Sequence, residues 1–206
     1  MSTISRDNLL EKIALHKEWL RTVGRSGQQL RLEKVDLAGV NLSDESVMEG
    51  FLPEVRFDEA ILRGCDFGRA NLTSASFVAA DLTGADFTKA NCDNADFRRS
   101  CLRGARGFRA SFARADFRDA DLSDINLFKA FLQEARFDNA VMERANLERA
   151  FLNGASLAGA HLRGAQGVAS VVAPAIYAGV GEDSKLEGKA ALEWLVRAAT
   201  EPADQG

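Results

Sequence analysis

Catalysis needs a nucleophile, a base and an orienting group within reach of one another, and this chain is poor in the residue types that supply them. His16 and His161 are its two histidines, and Cys65, Cys92 and Cys101 its three cysteines. An odd cysteine number without C-x-x-C spacing predicts neither a disulfide framework nor a zinc site. No Walker-type glycine-rich phosphate loop occurs. The richer chemistry lies in charge. Arg98, Arg99, Arg103, Arg106, Arg109, Arg114 and Arg118 make a basic belt, and Asp66, Asp86, Asp96 and Asp116 recur in step with one another. Such a belt is either solvated surface or a place where a partner docks, and no outward cluster unites a nucleophile with a base and an orienting group. The reading is therefore a non-enzymatic protein with no catalytic residue, no cofactor and no metal.

The elements that position these residues follow from composition and period. The 206 residues are 46% hydrophobic and 27% charged, which fits a folded, soluble chain. The net charge of −4 is too mild to announce nucleic acid or a membrane surface. No apolar run approaches the roughly 18 residues of a membrane helix. The first twenty residues carry Asp7, Glu11 and Glu18, unlike a secretory signal. A reducing, cytoplasmic setting is the expectation.

A five-residue period dominates. Counting from Leu32, Leu or Phe fills 23 of the 28 slots up to residue 167, the exceptions being Val47, Cys92, Gly107, Met142 and Gly167. Two residues before each slot, Ala occupies 19 of 28 positions. Between these registers stands a residue that is often Asp, Asn or Ser, such as Asp36, Asn41 and Ser76. A helix would scatter residues five apart by about 140°, and a strand would send them to alternate faces. Only a backbone that turns a corner every five residues buries them all. The eight Phe of the large register, 57, 67, 77, 87, 97, 112, 117 and 137, are read as core packing.

The segments ANLTS, ADLTG, ADFTK, ADFRD, ANLER and AHLRG resemble the pentapeptide-repeat family. The resemblance covers about residues 30 to 170. It implies an all-β solenoid: a right-handed, four-sided β-helix with twenty residues per turn, hence about seven turns and a rod roughly 34 Å long at strand spacing. Each turn then contacts only its neighbours.

Three segments follow: 1–29 as an N-terminal helical cap, 30–170 as the β-helix, and 171–206 as an apolar segment with an amphipathic helix. Leu9, Ile13 and Leu20, with Leu10 and Trp19 beside them, predict a helix from about Ser5 to Thr22 that Gly24 and Gly27 break. Ser184 and Glu187 read as a capping box ahead of the stripe Leu192, Leu195, Val196 and Ala199. With Ile176, Tyr177 and Trp194 these residues either cover the last turn or form a homodimer seam, since some members of the family dimerise end to end. Gly107 and Gly167, in matching stretches sixty residues apart, predict local bulges that Phe108 and Val168 fill.

Residues twenty apart share a side. Phe51, Phe131 and Phe151 fall on one line, the last two adjacent and outward, as contact surfaces favour. Arg98 and Arg118 stack one turn apart, a repulsion that Asp119 or Asp138 would relieve. These aromatics, the four aspartates and the two arginines are the candidate partner surface. The resemblance supplies the most specific partner, because several bacterial members bind DNA gyrase or topoisomerase IV as mimics of duplex DNA and protect them from inhibitors. The arginine belt departs from that pattern, as does the lack of a long loop between repeats. An adaptor for an unrelated protein is the alternative. Direct binding to nucleic acid or membrane is not expected.

Overall fold

The structure is a computed structural model that describes residues 1–172, 175–179, 181 and 184–200. From Arg31 to Phe151, parallel bridges join residues twenty apart, such as Arg31 to Phe51, Asp36 to Arg56, Asn41 to Ile61 and Ser46 to Asp66. Four bridge lines result, and they define four sides. The first runs Arg31, Phe51 … Phe151, the second Asp36 … Ser156, the third Asn41 … His161 and the fourth Ser46 … Gln166. Backbone bonds between turns are repetitive: the Phe97 N–H donates to Asp116 O at 2.7 Å, and the Asp116 N–H to Ala95 O at 3.0 Å.

Each corner is a β-turn. The N–H of the alanine slot donates to the carbonyl of the preceding large residue, as Ala80 does to Phe77 at 3.0 Å. The residue just before the alanine takes positive φ, for example Glu59 at 58° and Ala79 at 56°. Left-handed backbone costs a residue with a side chain about 1–2 kcal/mol, so the coil holds these positions by inter-turn bonding and core burial.

The Asp, Asn or Ser preference has a local cause. Asp or Asn at the bridge position accepts the N–H two residues on, as Asn71 does from Thr73 at 3.1 Å and Asp121 from Ser123 at 2.9 Å. At Ser76 and Ser111 a carboxylate from the turn before takes over. Asp58 accepts both the Ser76 hydroxyl and the Val78 N–H, and Asp93 both the Ser111 hydroxyl and the Ala113 N–H.

Inside, the Phe rings stack along the axis. Phe57, Phe77, Phe97, Phe117 and Phe137 form one pile with centroids 4.8–5.1 Å apart. Phe67 and Phe87 form a second, at 5.0 Å, meeting the first edge to face. Gly107 interrupts the second pile, but no bulge forms there: its N–H keeps the regular bond to Asn126 O at 2.7 Å. Phe108 does not fill the gap, since it lies on the outside against Phe128. The ring of Phe112, on the next side, occupies it instead; a Cβ at Gly107 would sit 3.0 Å from Phe112 Cε2 and 2.9 Å from Leu127 Cδ2. Gly167 does break the coil. It takes φ of 72°, a 3-10 turn follows at Val168–Ser170, and Val168 is buried. The bridge period then lengthens by one residue, to Phe151 with Val172.

Both ends are closed. At the N-terminus, β1 (Ser2–Thr3) pairs in parallel with β2 (Val35–Asp36). The helix α1 (Arg6–Arg21) has Ser5 as N-cap and Thr22 as C-cap, and buries Leu9, Ile13 and His16 on the first turn. Gly27 returns the chain so close to α1 that a Cβ would lie 2.3 Å from Leu15 O. His16 is the cap's central polar group: its Nδ1 accepts the Leu30 N–H at 3.0 Å and its Nε2–H donates to Met48 O at 2.7 Å. This satisfies two backbone groups that no earlier turn could reach.

Burial first of all, against the opposing pull of the Met48 carbonyl and Glu49, holds the His16 pKa below its ordinary value of 6.5. The unfolded chain therefore binds the extra proton first, and the stability His16 supplies, complete above 6.5, drains away as pH falls from there toward the lowered value. A protonated Nδ1 would face the Leu30 N–H donor to donor. The stability gap between wild type and His16→Gln, measured by urea unfolding, is expected to shrink from pH 7 to pH 5. An unchanged gap would show that His16 is not titrating.

At the C-terminus, β3 (Ala155–Ser156) pairs in parallel with β4 (Ala175–Tyr177), and β4 pairs antiparallel with β5 (Lys185–Glu187). The helix α2 (Gly188–Thr200) follows directly. The capping box does not form. Ser184 donates to Gly179 O and Gly181 O, closing the β4–β5 connection, and Glu187 is a strand residue beside Lys185. The sheet claims these residues before the helix starts. Residues 173, 174 and 180 of the apolar segment, and 201–206, lie outside the described residues.

Candidate functional site

The second side shows what the aspartates do. Asp96 accepts the Arg98 N–H at 3.1 Å and pairs with the Arg98 guanidinium at 2.6 Å; Asp116 and Arg118 repeat the arrangement one turn later. Burial pushes the Asp116 carboxyl up, but the Arg118 side chain and backbone N–H outweigh it and hold its pKa below the usual range. The repulsion between Arg98 and Arg118 is thus relieved chiefly by the aspartate two residues before each, with Asp138 adding a smaller favourable charge at Arg118 and Asp119 taking no part there. On the fourth side, Asp66 accepts from Gly68 N–H and the Ser46 hydroxyl, and Asp86 from Thr88 N–H while Arg106 stands 3.6 Å away. All four carboxylates are half-buried turn clamps.

The basic belt divides as the chain turns. Arg98, Arg103, Arg106 and Arg118 pair with Asp96, Asp121, Asp86 and Asp116, and Arg114 donates to Asn94 Oδ1 at 2.9 Å. Among the described residues, Arg99 and Arg109 have no ion pair.

On the first side, Phe131 and Phe151 stack face to face at 5.0 Å, with Phe131 40% exposed, and Val172, 47% exposed, follows on the same line. Phe51 stands apart at the other end, covered by the Arg31 guanidinium at 4.3 Å. The strips between are Asn71, Asn91 and Ser111. Around the adjoining corner a second outward pair stacks at 5.7 Å, Phe108 with Phe128, and Lys129 lies over the Phe128 ring at 5.0 Å.

The C-terminal candidates face two ways. Ile176, Leu195 and Ala199 are buried, and the Ala199 carbonyl accepts the Gly164 N–H at 2.8 Å, so α2 closes the coil's edge. Trp194 is partly buried against the core. Leu192 is likewise partly buried against the core, Val196 turns outward, and with Ala169 the two line an open apolar groove of about 470 Å³. A larger open groove, about 650 Å³, is lined by Arg118, Arg136, Asp138, Ser156 and Tyr177. Its two arginines are already engaged, Arg118 by Asp116 and Arg136 by Asp138 at 3.3 Å.

Among the described residues, the three cysteines stand apart from one another and from both histidines in sequence and surroundings. Cys65 and Cys92 are buried thiols whose pKa burial raises, and Cys101 lies 3.3 Å from the Thr83 hydroxyl. Among the described residues no group of His, Cys, Asp and Glu could hold a metal ion, and no helix is long and apolar enough to cross a membrane.

A family model described as pentapeptide repeats matches in eight copies over residues 52–88, 65–104, 108–144 and 140–166. Comparison with curated proteins gave no match. Among solved structures, the chain is similar to HetL, a pentapeptide repeat protein involved in heterocyst differentiation regulation in the cyanobacterium Nostoc sp. It is 24% identical, with 87% of this chain and 99% of that one covered and a TM-score of 0.42. It is also similar to QnrB1, a plasmid-mediated fluoroquinolone resistance protein, at 21% identity, with 69% and 76% covered and a TM-score of 0.43. A third is a pentapeptide repeat protein of the Arabidopsis thaliana thylakoid lumen, at 29% identity, with 48% and 66% covered and a TM-score of 0.39.

Proposed function

The chain belongs to the pentapeptide-repeat family, whose members fold as right-handed β-helices, and from that premise we propose that it works without catalysis, as a cytoplasmic rod of about seven turns that binds a protein partner along an outer side. The carrying observation is the outward run of exposed Phe131, half-buried Phe151 and exposed Val172 on a coil whose interior is filled by side chains. Exposed, mutually stacked aromatics on a rigid side are what a protein interface recruits. A filled interior offers a substrate no room.

The finer form of the proposal names the partner as a type II topoisomerase, engaged as a duplex mimic, as the family resemblance implies. Purified protein should then alter gyrase supercoiling, or drug-induced cleavage by gyrase, at micromolar levels. No effect on either would remove the topoisomerase and leave an adaptor for another protein. One observation favours the adaptor. Asp96 and Asp116 are neutralised by their own arginines, so the aspartate line does not present the continuous negative charge of a duplex.

A further inference from the structure

The four corners of the coil differ in charge, and one is basic over five consecutive turns. Between the fourth and first sides, corner residues twenty apart are Glu49, Arg69, Lys89, Arg109, Lys129 and Arg149, all with positive φ. Arg69 is paired to Glu49 at 3.0 Å. Among the described residues the other four make no ion pair. The remaining corners mix signs or carry glycine, as in Lys34, Glu54, Ser74 and Asn94 on one and Gly64, Gly84, Gly104 and Asp124 on another. Four like charges stacked one turn apart repel one another. The arginines on the second side, by contrast, each have an aspartate two residues away.

This corner is also where the outward aromatics meet. Phe108 and Phe128 lie just before it and Phe131 and Phe151 just after it. In each pair the rings are near parallel, at 4° and 9°, so the faces cover one another and ring edges point outward. Ring edges carry the positive end of the aromatic quadrupole. They offer apolar contact and tolerate an anion, but give a nucleobase few free faces to stack on, and stacking is what single-stranded nucleic acid requires.

From this arrangement we infer that the corner is a docking surface for an acidic amphipathic helix of a partner protein. Carboxylates on the helix would meet Lys89, Arg109, Lys129 and Arg149, and its apolar stripe would lie against the Phe edges. Spacing agrees with the choice. Turns recur at about 4.8 Å, close to the 5.4 Å helical pitch, whereas like-facing residues of a strand lie about 6.8 Å apart. The inference rests on the reading of the chain as a binding rod and names the partner's chemistry.

The test uses the full chain and a fluorescein-labelled helical peptide of Glu, Ala and Leu, with glutamates at i and i+4 beside a leucine stripe. Fluorescence anisotropy should show binding that weakens as salt rises. The double variant Arg109→Glu with Lys129→Glu should weaken it at least tenfold, Phe131→Ser severalfold, and Arg99→Glu, on another corner, less than twofold. Glutamate already occupies the same turn position at Glu54, Glu59 and Glu134, so the double variant should keep the wild-type circular dichroism. Equal binding of the Glu→Gln peptide, tighter binding of oligothymidine, or an unchanged affinity in the double variant would each overturn the inference. A host protein captured equally by wild type and double variant would overturn the corner while leaving the binding rod intact. Capture of no partner by either would remove both.

Discussion

Replacing Phe97 by alanine is expected to lower the unfolding free energy by about 3–5 kcal/mol, the largest effect of any single substitution considered. Phe97 is fully buried, and four rings touch it: Phe77 and Phe117 stack on its faces at 4.9 and 4.8 Å, and Phe87 and Phe112 meet it edge on at 5.8 Å each. Alanine removes the ring from all four. The surrounding turns cannot close the gap, because each is pinned to the next by repeated backbone bonds such as Phe97 N–H to Asp116 O. The position is also near the middle of the coil, where neighbouring turns couple on both sides. Urea unfolding followed by circular dichroism measures the loss, with Phe131→Ala, on an exposed ring, as the comparison. Phe131→Ala should cost under about 1 kcal/mol. Similar losses for the two would mean that the large register does not line a packed interior.

The inward register was legible because it depends on one rule, a corner every five residues, which every repeat restates. The N-terminal helix was legible for a similar reason: Ser5 and the spacing of Leu9 and Ile13 are local signals. What escaped the sequence is contact between sides. His16 looked like an ordinary helix residue, since its partners Leu30 and Met48 are brought to it only by the coil's first turn. The arginines looked like a belt because they are close in sequence, yet residues four or five apart stand on different sides. The corner cations are twenty apart, so their alignment shows only when the chain is cut by turns. Ser184 and Glu187 fit a capping box on spacing alone, and the pairing of β5 with β4 redirects them.

Gly107 shows the same failure most sharply and yields the second large effect. Its likeness to Gly167 pointed to a shared bulge, but only Gly167 breaks the coil. At Gly107 the interior is filled by volume exchange between sides: a glycine in the Phe67 and Phe87 pile is matched by a phenylalanine in a line otherwise made of leucine and Cys92. The Phe112 ring reaches Phe87, Phe97 and Phe117 at 6.0, 5.8 and 5.4 Å, so it stands in for the ring the pile lacks. Gly107→Leu alone should therefore overpack, at a cost of about 1–3 kcal/mol, because its first carbon already meets Phe112 and Leu127 within 3.0 Å. Phe112→Leu alone should leave a void and cost about 1–2 kcal/mol. Together the two substitutions give the first side its usual leucine and continue Leu127 and Leu147 on the fourth side, and the pair should be more stable than the sum of the single losses by about 1–3 kcal/mol. A double-mutant cycle in urea reads that coupling directly. Losses that simply add would mean the Phe112 ring does not occupy the glycine's space, and that the core is assembled along each side separately instead of across the coil.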